Sequence, residues 1–533
     1  MKLLASSPRH HFLSCPSLSF LILVMGLAVG TGCGSGGTTT KPPQFSGNTD
    51  VTVVASSTGN DQVTRFDVDL QSLTLTSLSG KTVTLLSSQQ PAEFMHLNGG
   101  IEPLMTVSVP QDIYTSATAT LGGAVFVCLA QVPGEGLGIA NYSIVNQAPT
   151  VNLPTPIGIT GNSMALLLNM DVSNSAIFPT CWTNPAFEGF SMTPTFNVTP
   201  LSLSTTPTNP ANGKVSGLTA QVASVGATGS TLTLTIAGGP LGTRTLSASS
   251  NSATVFQGVS GGSTLSAGMF LNLDGAIQPD GSLLATRIEV EDSSSPNDTS
   301  GPMMWVDNVV PGFELYGRTE LGSLLTNPTN GQSGVYFDTP YFDLSSSVAF
   351  QISGQFTNLQ NLPFVPSFNA SNMVAGQNVD VTSANFVLVG GLGTPANTIT
   401  LVPQTIDGTI VGSGAVGSFT DYIVTLASYD LFPTLAVQQG QTTLLSNPSQ
   451  VEVYVDSNTQ LLNKQALASG GTFRFYGLVF NDNGTLRMDC AQVNDGVSFT
   501  PQASSNNHAV VQSRMTRRAS ANGLPVITTA TTH

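Results

Sequence analysis

Ser263–Val290 reads "STLSAGMFLNLDGAIQPDGSLLATRIEV", and Gln465–Val493 reads "QALASGGTFRFYGLVFNDNGTLRMDCAQV". The two stretches align on their glycines: Gly268 and Gly275 match Gly470 and Gly477, and Leu271 and Leu273 fall on Phe473 and Phe475. In each, an alternating apolar run is followed by an Asp/Asn-Gly turn and a second run, which is the signature of a β-hairpin. The spacing from Gly281 to Val290 equals that from Gly484 to Val493, so Ala285 and Ile288 correspond to Met488 and Ala491. A fainter copy, "MVAGQNVDV" (Met373–Val381), places Gly376 on Gly268 and Val379 on Leu271.

Upstream of the hairpins, "LTAQVASVGATGSTLTLTI" (Leu218–Ile236) matches "IDGTIVGSGAVGSFTDYIVTL" (Ile406–Leu426), both alternating runs broken by Gly-rich turns. Each unit is expected to hold about five strands, the size of a small closed barrel without exposed edges. Three barrels are expected, over 215–292, 303–395 and 396–498. Composition agrees. Among 533 residues only 8% are charged, while 54 Gly and 32 Pro suit short strands and turns better than helices. The fold class is all-β.

Before the barrels, "TRFDVDLQSLTLTSLSGKTVTLLS" alternates as two strands around "SLSGK", and further strands follow through "SMALLLNMDVSNSAIF". Residues 50–198 are expected to form a β-sandwich, separated from the first barrel by a Pro/Thr/Asn-rich linker at 199–214. "EDSSSPNDTSGP" (Glu291–Pro302) is expected to be a second linker, and 499–533 a disordered tail.

The first 32 residues have a basic start and a short apolar run, "FLILVMGLAV", the pattern of a secretory signal peptide. The run ends in "GTGCGSGG", which resembles a bacterial lipoprotein cleavage site with Cys33 as the lipidated residue; simple secretion is the alternative. Residues 33–49 would be a flexible tether. The expected location is the bacterial outer membrane or cell surface, with a membrane partner engaged through the N-terminal lipid, or alternatively the periplasm or medium.

Removing the signal removes two bases and no acids, leaving 13 basic against 30 acidic residues. Such an acidic chain repels phosphate backbones, so nucleic acid is not an expected partner. Cys128 and Cys181 lie in one expected domain and an oxidising compartment, where they form either a disulfide or two buried thiols. No Cys-x-x-Cys spacing points to a metal, and no cofactor is expected.

Two resemblances extend this reading. The segment from Thr254 to Ile288 resembles a small β-barrel domain of unknown function in bacterial envelope proteins. Its pattern falls on Thr254, Phe256, Leu265, Gly268, Gly281, Leu283, Ala285 and Ile288. Residues 50–198 resemble a second uncharacterised lipoprotein family through "Val-Pro-x-x-x-Tyr" (Val109, Pro110, Tyr114) and "Leu-x-x-Asp-x-x-x-Ser" (Leu168, Asp171, Ser175). The resemblances imply an exported β protein and carry no catalytic residues.

Chemistry is sparse. His96, in "EFMHLNGG", is the one mature histidine before the tail and reads as a partly exposed loop residue. "GSGAVG" (Gly412–Gly417) matches a dinucleotide fingerprint as a string, but an alternating strand follows where a helix is required, so it reads as a hairpin turn. "GNSMA" around Ser163 lacks the second glycine of a nucleophile elbow. Asp67 and Asp69 share one face of a strand and read as its solvated face, with a Ca²⁺ site or a catalytic acid as alternatives. Trp182, Trp305, Tyr316 and Tyr341 could stack on sugars, although Trp305 reads as core. The resulting expectation is a non-enzymatic envelope lipoprotein acting as a scaffold or binding surface for a protein or glycan; the alternative is a carboxylate-based hydrolase acting on glycans.

Overall fold

The computed structural model describes residues 45–59, 63–128, 138–140, 143–144, 146–175, 191–201, 203, 213–237, 243–292, 297–307, 311–321, 340–345, 347–353, 359–383, 394–428, 430–435, 444–461, 465–496, 514–519 and 525–530. All belong to one compact unit, Phe45–His533. Cys33, Cys181 and the signal segment lie outside the described residues, and Cys128 is described in its backbone only.

The N-terminal lobe contains β1 (Asn48–Thr58), β2 (Val63–Ser77), β3 (Thr82–Leu86), β4 (Gln90–Glu93), β5 (Glu102–Pro110), β6 (Asp112–Cys128), β7 (Gly138–Ala140), β8 (Ser143–Ile144), β9 (Thr150–Ile159), β10 (Ser163–Asp171), β11 (Ser191–Met192) and β12 (Phe196–Leu201). One sheet runs β12-β10-β1-β5; the other runs β3-β2-β6-β7, with β4 on β2 and β9 on β6, while β8 and β11 pair separately. Val51, Phe66, Leu73, Tyr114 and Leu168 are among the residues that fill the space between the two sheets. This is a sandwich. The motifs of the second resemblance close its corners: Tyr114 donates its hydroxyl to the Pro110 carbonyl at 2.8 Å, and Ser175 donates to the Asp171 carbonyl at 2.6 Å.

The first barrel comprises β13 (Lys214–Val225), β14 (Thr231–Ala237), β15 (Thr243–Ser249), β16 (Val255–Gln257), β17 (Phe270–Ile277) and β18 (Leu283–Asp292). The order β15-β14-β13-β17-β18 is sealed by a parallel pairing of β15 with β18, giving a closed five-stranded ring. Leu271, Leu273, Leu283, Ala285 and Ile288 point into it and are fully buried.

The middle lobe comprises β19 (Asn297–Asp307), β20 (Gly312–Leu315), β21 (Thr319–Leu321), β22 (Tyr341–Asp343), β23 (Ala349–Ile352), β24 (Asn378–Ser383), β25 (Thr394–Pro395) and β26 (Thr398–Leu401). Here the same ring is traceable with a broken closing strand. β25 pairs parallel with β22, and β26, starting three residues after Pro395, pairs with β24. β23 lies parallel on β26 as β16 does on β18.

The third barrel comprises β27 (Gln404–Val416), β28 (Phe419–Leu426), β29 (Gln450–Val455), β30 (Gln460–Leu461), β31 (Thr472–Asp482) and β32 (Thr485–Asp495), sealed by β29 on β32. Gly268, Gly376 and Gly470 hold φ values of +94°, +103° and +87° at the entry to β17, β24 and β31, a conformation that disfavours any Cβ. The glycines that revealed the repeat are therefore equivalent in backbone as well as in sequence.

Three expectations are corrected. First, Gly275 pairs with Ala285 but Gly477 pairs with Cys490, and Leu273 faces Ile288 where Phe475 faces Val493. The equivalents of Ala285 and Ile288 are thus Cys490 and Val493, two residues beyond Met488 and Ala491. The cause is the length of the arms: five residues separate Gly477 from the tight Asn483-Gly484 turn, which has positive φ at both positions, against three between Gly275 and the Pro279-Asp280-Gly281 turn. Second, Asn297–Pro302 is strand, not linker: its Asn, Asp and Thr are buried rather than solvated. Third, the tail includes β33 (Arg514–Ala519) paired with β34 (Pro525–Ala530), segments whose Thr, Val and Ile content suits a hairpin.

The lobes share cores. Val54 of the sandwich packs into the first barrel's cluster, and Phe419, Tyr454, Leu478 and Phe480 of the third barrel pack into that of the middle lobe.

Candidate functional site

Where the lobes meet, the interior turns polar. In the sandwich, the Glu93 carboxylate at the end of β4 accepts the backbone N–H groups of Phe66, Met95 and His96 at 2.8, 2.9 and 2.7 Å. The His96 ring lies between two acids, with Nδ1 3.2 Å from Glu93 and Nε2 3.0 Å from Glu102. Burial opposes ionisation of Glu93, but the bond to His96, the positive charges of His96 and Arg318 and the Phe66 N–H outweigh it and hold this carboxyl below its ordinary value. Glu102 also pairs with Arg244, which crosses from β15 of the first barrel and donates to the Pro91 carbonyl as well. Burial lowers the Arg244 guanidinium to about 10. From β2, Arg65 pairs with Asp67 at 2.6 Å and donates to the Gly317 carbonyl of the middle lobe at 2.9 Å.

A second buried cluster is acidic. Glu289 and Glu291 extend from β18, Asp298 from β19 and Asp380 from β24, and all four are buried. Neither Glu291 oxygen has a hydrogen-bond partner. Thr219 of β13 makes a cross-lobe bond, donating to Asp380 at 3.3 Å. Desolvation, reinforced by the charges of Asp380, Asp298 and Glu289, raises the Glu291 carboxyl well above its ordinary value. Asp380 is pushed up to about 6, again mainly by burial, against hydrogen bonds from Thr219 and Ser300. Arg287 directs its guanidinium to Asp274, Glu289 and Asn272, at 2.8, 2.8 and 2.9 Å.

A cavity of about 80 Å³ adjoins both clusters, lined by His96 and Glu102 of the sandwich, Asn272 of the first barrel, Arg318 and Asp380 of the middle lobe and Thr405 of the third. That is roughly half the ~150 Å³ pocket that admits a benzene ring, and it suits a few water molecules. The third barrel completes the junction: Thr405 donates to the Asn98 carbonyl at 2.6 Å and Gln492 to the Gly99 carbonyl at 3.1 Å. Because both His96 ring nitrogens face carboxylates, neither is aimed at a nucleophile as a Ser-His pair requires.

The residues singled out in the sequence distribute as follows. His96 is a partly exposed turn residue, as expected, one quarter exposed and with both ring nitrogens engaged at the junction. Asp67 and Asp69 are buried, not solvated, which corrects that expectation; the strand's polar face packs against β4 and the middle lobe instead of water. Among the described residues, no group of three or more His, Cys, Asp or Glu is arranged to hold a metal ion. Asp171 closes the turn after β10 by accepting from Asn174. Gly412–Gly417 forms a hairpin, with Val416 opposite Phe419, and Ser163 opens β10. Trp305 is half-buried on β19, and Trp182 lies outside the described residues. The sequence reading missed Glu93, Glu102, Arg244, Glu291 and Asp380. A signal was available for Glu289 and Glu291, because "TRIEVED" carries charge on a strand whose neighbours are apolar.

No family model and no curated protein matches the chain. Among solved structures it is similar to drosophila Unr CSD456, at 11% identity and a TM-score of 0.12, over 53% of this chain and 98% of that one. At that TM-score the likeness carries no argument on fold or function.

Proposed function

We propose that the chain is an exported, lipid-anchored scaffold of the bacterial cell envelope, without catalytic activity, whose joined β lobes present a surface to an extracellular protein or glycan. One observation carries this reading. The charged groups that a hydrolase would direct into a cleft are instead bonded from lobe to lobe, Arg244 to Glu102, Arg65 to Gly317 and Thr219 to Asp380. Glycoside hydrolysis needs a sugar between two carboxyls ~5–10 Å apart. Asp380 instead lines a cavity too small for a sugar ring, and Glu291 is buried outside that lining. Anchoring by several acyl chains follows from the ~0.8 kcal/mol contributed by each buried methylene.

Radiolabelled palmitate tests the anchor. Label is expected in the wild-type protein and absent from Cys33→Ala; an unlabelled wild type overturns lipidation. Incubation of the mature protein with envelope glycans tests the rest: release of reducing ends that disappears in Asp380→Asn overturns the scaffold in favour of the hydrolase.

A further inference from the structure

A cleft of about 620 Å³ lies beside the junction, where the sandwich and the first and third barrels meet. That volume is ordinary for a small-molecule site. At ~150 Å³ for a benzene ring, it accommodates about two or three of the bulkier sugar rings. From the third barrel come two outward-facing rows, Arg474 opposite Asn494 and Tyr476 opposite Gln492. They face outward because Phe473 and Phe475, which alternate with them on β31, fill the barrel. From the sandwich comes a preset amide: Ser56 donates to Asn169 Oδ1 at 2.9 Å, and Asn169 Nδ2 donates to Thr58 at 3.1 Å. The first barrel adds Lys214 and Ser216 of β13.

This lining carries amides and hydroxyls rather than net charge. Lys214 and Arg474 are matched by Asp495 in the same lining and by Asp407, 3.6 Å from Arg474 Nε. Groups that both donate and accept suit a ligand made of hydroxyls, and the half-buried Tyr476 ring offers a face for the apolar side of a pyranose. Arg474 has donors to spare: at 8% exposure, neither its Nε nor its Nη2 has a hydrogen-bond partner. A peptide fits less well. β1, β10, β31 and β32 are each paired on both sides, so none offers a free edge for strand addition. We infer that this cleft binds a neutral oligosaccharide, with one sugar ring against Tyr476 and hydroxyls on Asn169, Arg474 and Asn494. The site rests on the scaffold reading above and gives that scaffold its partner. Among the described lining residues Asp495 is the one carboxylate, so the cleft lacks the second acid of a glycosidase.

Titration calorimetry of the full mature chain tests this, with neutral hexasaccharides of glucose, mannose and N-acetylglucosamine beside a hexamer of galacturonic acid. Saturable binding of a neutral hexasaccharide is expected, with the uronate weaker by about tenfold. Gly100 lines the cleft, and a Cβ there meets nothing within 4 Å. Gly100→Phe therefore fills the space without disturbing the fold and should abolish binding. Tyr476→Ala should weaken it by about tenfold or more. If Tyr476→Ala does not fold by circular dichroism, Asn494→Ala takes its place, with a loss of about fivefold expected. No binding of any neutral hexasaccharide, tighter binding of the uronate, or undiminished binding by Gly100→Phe would each overturn the inference. The first of these leaves the scaffold standing, with a protein as its partner. Binding followed by release of reducing ends supports the cleft and overturns the scaffold, so the two failures are read apart.

Discussion

Thr254 and Thr459 each donate a side-chain hydroxyl to a carbonyl 31 residues further along the chain, Ala285 in one case and Cys490 in the other, and both bonds are 2.7 Å long. Each threonine also accepts the backbone N–H three residues before it, from Asn251 and Asp456. The first and third barrels thus pin the short strand beside their closing strand with the same clasp. Replacing either threonine by valine keeps the shape and removes the donor, leaving the carbonyl without this partner. Thr459→Val is expected to cost about 1–2 kcal/mol, and Thr254→Val, at a wetter position, less. Urea denaturation followed by far-UV circular dichroism measures both; a neutral Thr459→Val would mean that the clasp adds nothing.

That clasp also marks the limit of what the sequence could convey. The alternation of Leu271 and Leu273, echoed by Phe473 and Phe475, was legible because a barrel interior demands apolar side chains at every second position. The two-residue displacement of Cys490 and Val493 was not, since glycine spacing reports the turn and not the pairing beyond it. Asn297–Pro302 misled for a different reason. Polar residues normally indicate solvent, and here they face a buried junction whose other members lie hundreds of residues away. The site was hidden for the same reason: Glu102, Arg244, Arg318 and Asp380 form a cluster only after three lobes have packed together.

Gly477 tests the close packing of the hairpin. A Cβ at this position would stand 2.0 Å from the Asp489 carbonyl oxygen, and at Gly275 one would stand 2.7 Å from that of Leu284. Both contacts are with backbone, which cannot yield without breaking strand pairing. Gly477→Ala is expected to lose more than about 3 kcal/mol, with Gly275→Ala milder. Gly414→Ala, where nothing stands within 4 Å, should be neutral or slightly stabilising. Thermal melts of the three variants give the ranking, and equal melting temperatures for Gly477→Ala and Gly414→Ala would refute it.

Arg244 should behave as a buried partner rather than a surface charge. Arg244→Met leaves Glu102 buried beside His96 without its guanidinium, and a loss of about 3–5 kcal/mol is expected. Adding Glu102→Gln to that variant removes the stranded charge and should restore part of the loss. A double-mutant cycle by denaturant unfolding therefore gives a favourable coupling energy. Strictly additive effects would show that the two side chains act independently.

Asp489 offers a pH test confined to the third barrel. Its carboxyl is pushed up to about 7, chiefly by burial and secondarily by the charge of Asp456. In the unfolded chain the same group titrates near 4. The folded protein thus binds the proton more tightly, and the stabilisation, complete below about pH 4, is lost as the pH rises through about 7. Asp489→Asn removes the titration while keeping the size of the side chain. Between about pH 5 and pH 8 the wild type should lose on the order of 2 kcal/mol more than this variant, measured as the difference between their urea unfolding free energies. Parallel pH profiles for the two proteins would show that Asp489 titrates as it does in water, and that its surroundings on the outer face of β32 are wet rather than sealed.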